Sequence, residues 1–140
     1  MLIDWREGME ESKTILVIDD ETHILHVVSL KLRNAGYEVI TAEDGEEGFS
    51  KALSCSPDLI ISDYQMPFMT GLDLCIKLKE HTKTSHIPAI MLTARGFSLS
   101  NDYLEKTNIE GVLTKPFSPR EILDRVEKLL NQCVISSKAS

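Results

Sequence analysis

The sequence predicts an α/β fold: a doubly wound, five-stranded parallel sheet with helices on both faces. Three observations carry the prediction. Short apolar, β-branched runs recur along the chain, the mark of buried strands. Segments of helical character separate them, as in a layered sheet whose crossovers are right-handed. The 140 residues are enough for one domain with one core. That domain is placed at 14–131, between an N-terminal tail, 1–13, and a C-terminal tail, 132–140.

Ile15-Leu16-Val17-Ile18 is the first strand, and it stops abruptly at Asp19-Asp20-Glu21. Ile24, Leu25, Val28, Leu30 and Leu32 follow at helical spacing until Asn34-Ala35-Gly36 ends the helix. Glu38-Val39-Ile40-Thr41 is a more polar strand, suited to a sheet edge. After the Asp44-Gly45 turn, Glu46 to Leu53 reads as a short helix. Leu59-Ile60-Ile61-Ser62 is the third strand and ends at Asp63. Thr70 opens the next helix, with Asp73 three residues on as its capping-box partner. Pro88 to Leu92 is the fourth strand, ending at Thr93, and a polar helix is expected from Leu99 to Thr107. Val112-Leu113-Thr114 is a short fifth strand that ends at Lys115-Pro116. Ser118, Pro119 and Glu121 signal the start of the last helix, whose apolar stripe is Ile122, Leu123, Val126, Leu129 and Leu130. Met1 to Lys13 reads as a loose tail or a short docking helix.

Composition narrows the function. A net charge of −7 argues against a nucleic-acid surface, which needs clustered Lys and Arg. No apolar run approaches the ~20 residues of a membrane span, and no secretory signal is evident, so a cytoplasmic setting is expected. Cys55, Cys75 and Cys133 suggest neither a disulfide framework nor a zinc site. His23, His26, His81 and His86 have no metal-ligand spacing with another ligand and read as surface or helix residues.

In open parallel sheets the functional crevice lies beyond the carboxyl ends of the strands, where strand order reverses. Asp19-Asp20, Asp63, Thr93 and Lys115 all stand at such ends, each directly after an apolar run. Crowded carboxylates repel: one pair at ~4 Å and an effective dielectric of ~20 costs about 4 kcal/mol. A divalent cation with hard oxygen ligands, Mg²⁺, is the natural counter-charge. A cation, an ammonium and a hydroxyl around one carboxylate make a phosphoryl-transfer site, with that carboxylate as nucleophile.

These segments resemble the receiver domain of two-component response regulators, with its flavodoxin-like fold. The resemblance is carried by residues 15–21 (ILVIDDE), 57–67 (PDLIISDYQMP), 71–73 (GLD), 91–94 (MLTA) and 113–117 (LTKPF). It implies that Asp63 is the phospho-acceptor, fed by a histidine kinase or phosphotransfer protein. It also implies that Asp20, Asp63 and the backbone carbonyl of Gln65 contact Mg²⁺, with Asp19 acting mostly through a metal-bound water. Lys115 would bind a phosphoryl oxygen. Thr93, with Ala94 beside it, would move toward the phosphoryl group. That movement would reshape the face of the fourth helix, fifth strand and last helix for a downstream protein. A cis Lys115-Pro116 peptide goes with the family.

One departure stands out: Val112 occupies the position of the family's switch aromatic. Output would then run through the loop and the fourth helix alone, or use another residue, for which Phe97 and Tyr103 are the candidates. Asn108 stands where the family often has Gly, and Gln65 and Arg95, beside the phosphorylation site, either tune water access or are ordinary surface residues. Two other functions compete. A Mg²⁺-dependent phosphohydrolase of the haloacid dehalogenase type would need a D-x-D signature after the first strand and an acidic pair after Lys115, and the chain has neither. A phosphorylation-independent interaction module would be expected to have lost site residues, and every one is present. The chain is expected to act as a switch, not as an enzyme.

Overall fold

The computed structural model describes residues 12–94 and 105–139. Five parallel strands, β1 (Thr14–Ile18), β2 (Glu38–Ala42), β3 (Leu59–Asp63), β4 (Ala89–Thr93) and β5 (Ile109–Thr114), form one sheet in the order β2-β1-β3-β4-β5. The described helices are α1 (Thr22–Asn34), α2 (Gly45–Cys55), α3 (Gly71–Glu80) and α4 (Pro119–Ala139). Strand order reverses between β1 and β3, which pair from Ile15↔Leu59 to Ile18↔Ser62. The loops leaving those two strands therefore diverge and open a crevice at the sheet's carboxyl edge.

Alternation along the strands divides the core in two. Leu16, Ile18, Ile60 and Met91 point to one face and pack with Ala52 of α2 and Leu74, Cys75 and Leu78 of α3. Ile15, Val17, Ile61, Ile90 and Leu92 point to the other and meet Leu25, Val28 and Leu32 of α1 and Ile122 and Val126 of α4. β1, β3 and β4 are covered on both faces, which is why they read as unbroken apolar runs. The more polar β2 lies at an edge, as its sequence predicted. Close packing requires Gly48: a Cβ there would stand 2.6 Å from Ile18 Cδ1.

The helix signals act as expected. Thr70 and Asp73 form both halves of the capping box of α3. Ser118 and Glu121 exchange the equivalent pair of bonds at the start of α4. Gly36, with φ +102, takes the left-handed turn after α1.

Two boundaries differ by three residues or more from the sequence reading. β5 begins at Ile109, three residues earlier than Val112, because a register shift at Ala89/Ile90 lets Glu110-Gly111 enter the strand. α4 continues past Asn131 to Ala139, through the stretch read as a C-terminal tail. Residues 132–139 contain no Gly or Pro to stop a helix already propagating. The helix expected over Leu99–Thr107 lies outside the described residues up to Leu104; Glu105 is helical and the chain turns at Lys106.

Candidate phosphoryl-transfer site

The parallel ladder carries the ends of β1, β3, β4 and β5 to one edge, with Asp63 opposite Leu92 and Thr93 opposite Thr114. Backbone bonds fix the loops there. Asp19 N–H donates to the Ala42 carbonyl (3.1 Å), Tyr64 N–H to that of Leu92 (2.8 Å), and Lys115 N–H to that of Thr93 (2.7 Å). Gly71 lies so close under the loop after β3 that a Cβ there would run into the Asp63 carbonyl oxygen. The Lys115–Pro116 peptide is cis.

Carboxylate oxygens of Asp19, Asp20 and Asp63 lie within 4.8 Å of one another. Asp19 is fully buried and Asp63 is 4% exposed, while Asp20 faces solvent. Lys115 enters from the loop after β5. Its Nζ lies 2.9 Å from Asp63 Oδ1, 3.4 Å from Glu21 Oε1 and 3.9 Å from Asp19 Oδ2.

One ammonium does not satisfy this cluster. Burial, only partly offset by a backbone bond from Glu21, pushes the Asp19 carboxyl up to about 6, with Asp63 and Glu21 adding repulsion. Burial also raises Asp63; Lys115 opposes the rise, and Asp20 and Glu21 reinforce it. Desolvation pulls Lys115 down, but its carboxylate partners outweigh that and its pKa is raised. Among the described residues, two polar atoms here are buried without a hydrogen-bond partner, Asp19 Oδ2 and the Thr93 hydroxyl. Three converging oxygens and an orphaned carboxylate oxygen suit a hard dication. An orphaned hydroxyl on the neighbouring strand end suits an anionic oxygen beside it.

The strand-end residues singled out from sequence thus converge. Val112 packs half-buried against one side of the core, and Gln65 and Ala94 are exposed on the loops after β3 and β4. Arg95, Phe97 and Tyr103 lie outside the described residues. Sequence reading quoted Glu21 in its motif but gave it no role, since nothing in spacing reveals its contact with Lys115.

The response regulator receiver domain family model matches residues 15–127. The chain belongs to the response regulator receiver family. Among curated relatives, this receiver domain is 37% identical over 129 residues to the alkaline phosphatase synthesis transcriptional regulatory protein PhoP of Bacillus subtilis, covering 92% of the chain and 53% of that protein. It is also 37% identical over 120 residues to the phosphate regulon transcriptional regulatory protein PhoB of Pseudomonas aeruginosa, covering 86% of the chain and 52% of that protein. The chain spans about half the length of these relatives. Among solved structures it resembles Vibrio cholerae chemotaxis protein CheY4, with TM-score 0.76 and 34% identity over 84% of this chain and 98% of that one. A response regulator receiver domain protein from Clostridium thermocellum gives TM-score 0.75 and 32% identity over 88% and 98%. Two-component phosphorelay signalling is the function of this family. No described helix is long and apolar enough to cross a membrane.

Proposed function

We propose that this receiver domain takes a phosphoryl group onto Asp63 and changes its conformation in response. The observation that carries the reading is the Lys115 ammonium 2.9 Å from a nearly buried Asp63 carboxylate that shares its pocket with Asp19 and Asp20. The cation would be held by Asp20, Asp63 and the Gln65 carbonyl, with Asp19 behind a water. Bound Mg²⁺ would neutralise part of the carboxylate charge and of the charge on the transferring group.

The chain's own residues do the rest. An Asp63 oxygen attacks phosphorus in line as the donor's phosphorus–nitrogen bond breaks, leaving the electron pair on the histidine nitrogen. Lys115 turns from the carboxylate to a phosphoryl oxygen. The unpartnered Thr93 hydroxyl donates to another, with Ala94 beside it, and draws the loop after β4 inward. With Val112 in place of an aromatic, the signal spreads through that loop, not through a ring rotating in β5. The change is a shift between two states, and a coupling of ~1–3 kcal/mol is enough for a useful signal. A histidine kinase or phosphotransfer protein supplies the group, a downstream protein reads the switched face, and a cytoplasmic setting goes with this reading. Hydrolysis of the aspartyl phosphate is slow, as befits a switch. The phosphorylation-independent module is not favoured, because the acidic trio and Lys115 stand together.

Asp63→Asn should abolish labelling by acetyl phosphate, read by intact mass. Labelling of that variant at full stoichiometry would refute the assignment.

A further inference from the structure

We propose that Glu21 is a positioning residue for Lys115, setting the balance between cation and phosphoryl binding by competing with Asp63 for the ammonium. This rests on the phosphoryl-transfer reading of the site and adds a residue to it.

The local structure singles Glu21 out. It occupies the N-cap position of α1, where a side chain ordinarily accepts a bond from the first turn, yet its side chain makes no such bond. Its carboxylate instead reaches Lys115 Nζ at 3.4 Å, across 94 residues of sequence. The backbone is fixed on both sides. Glu21 N–H donates to Asp19 Oδ1 at 2.9 Å, and its carbonyl accepts from Ile24 and Leu25 at 3.1 and 3.2 Å. The side chain therefore starts from a set place beside the acidic trio, within reach of Lys115.

Three carboxylates thus share one ammonium: buried Asp19, nearly buried Asp63 and Glu21, whose side chain is 57% exposed. A phosphoryl group on Asp63 brings a charge of about −1.5 to −2 and needs Lys115 for itself. Glu21 opposes that step twice, by competing for the ammonium and by repelling the incoming oxygens. For a dication the sign is opposite: Glu21 adds negative potential at the mouth of the pocket and favours binding. Loss of its charge should therefore weaken cation binding and strengthen anion binding. A merely structural role would not produce that split.

Glu21→Gln removes the charge and keeps the reach; Glu21→Asp keeps the charge. Calorimetry would measure Mg²⁺ affinity, then beryllofluoride affinity at saturating Mg²⁺, with melting temperature as the control for folding. For Glu21→Gln, Mg²⁺ should bind about two- to fivefold more weakly and beryllofluoride about two- to fivefold more tightly, the scale of a partly exposed ion pair. Glu21→Asp should keep the wild-type Mg²⁺ affinity. Both affinities unchanged in Glu21→Gln, or both moving in the same direction, would overturn the proposal while leaving the site reading intact. Failure of the wild-type protein to bind beryllofluoride would instead remove the site reading, and the role of Glu21 with it.

Discussion

Lys115 is the residue on which the site turns. Three contacts from one ammonium hold together carboxylates that would otherwise repel. Lys115→Ala should still accept some label from acetyl phosphate, because Asp63 and the cation ligands remain. The conformational response should weaken, read as lost change in amide hydrogen exchange across β5 on phosphorylation. An undiminished change would count against the lysine's role. The cysteines differ in a checkable way as well. Burial pushes the Cys75 thiol up to about 12, while Cys55 is exposed. Iodoacetamide on the folded protein should therefore modify Cys55 and spare Cys75. Asp19, Asp63, Thr93 and Lys115 were legible in the sequence because each ends an apolar run, and a parallel ladder leaves such ends no choice but one edge. The Glu21–Lys115 contact was not, since it depends on a side chain declining its capping role.

At the scale of elements, the loop between β3 and α3 links site to scaffold. Thr70 and Asp73 cap α3 reciprocally, so Thr70→Ala should cost about 1 kcal/mol of stability. Gly71→Ala should cost more, because its Cβ would meet backbone, the Asp63 carbonyl, and not a flexible side chain. Urea unfolding of the two variants checks the order; equal costs would contradict the tight approach. Gly111→Ala offers a contrast, since the nearest atom there is the movable Arg125 Nη1 at 2.7 Å. Elements with strong local signals were legible: the buried strands, both capping boxes and the glycine after α1. The start of β5 was not, because a register shift admits Glu110 and Gly111, which are weak strand formers. The end of α4 was not either, because small polar residues stop a helix only when something else competes for the backbone.

For the whole molecule, the crowded site links stability to pH and to Mg²⁺. The Asp19 carboxyl titrates at about 6 in the folded chain, against 3.8 for an unperturbed group. A group raised by folding contributes its stability at low pH and loses it as pH rises through the folded value. Metal-free protein should therefore lose stability from this source between about pH 4 and 6, by at most about 3 kcal/mol. Asp63, raised in the same direction, adds to the loss. Asp19→Asn isolates the effect. Compared with wild type, it should gain more stability at pH 7 than at pH 4, and Mg²⁺ should raise its melting temperature less. Equal gains at both pH values would contradict the linkage. The central claim is that this pocket tolerates its negative charge through a dication and thereby lets Asp63 become phosphorylated. Intact mass after incubation with acetyl phosphate, with and without Mg²⁺, tests it most directly. One phosphoryl group per chain, gained only with Mg²⁺ and mapping to Asp63, is the predicted result; equal labelling in chelator, or label on another residue, would contradict it.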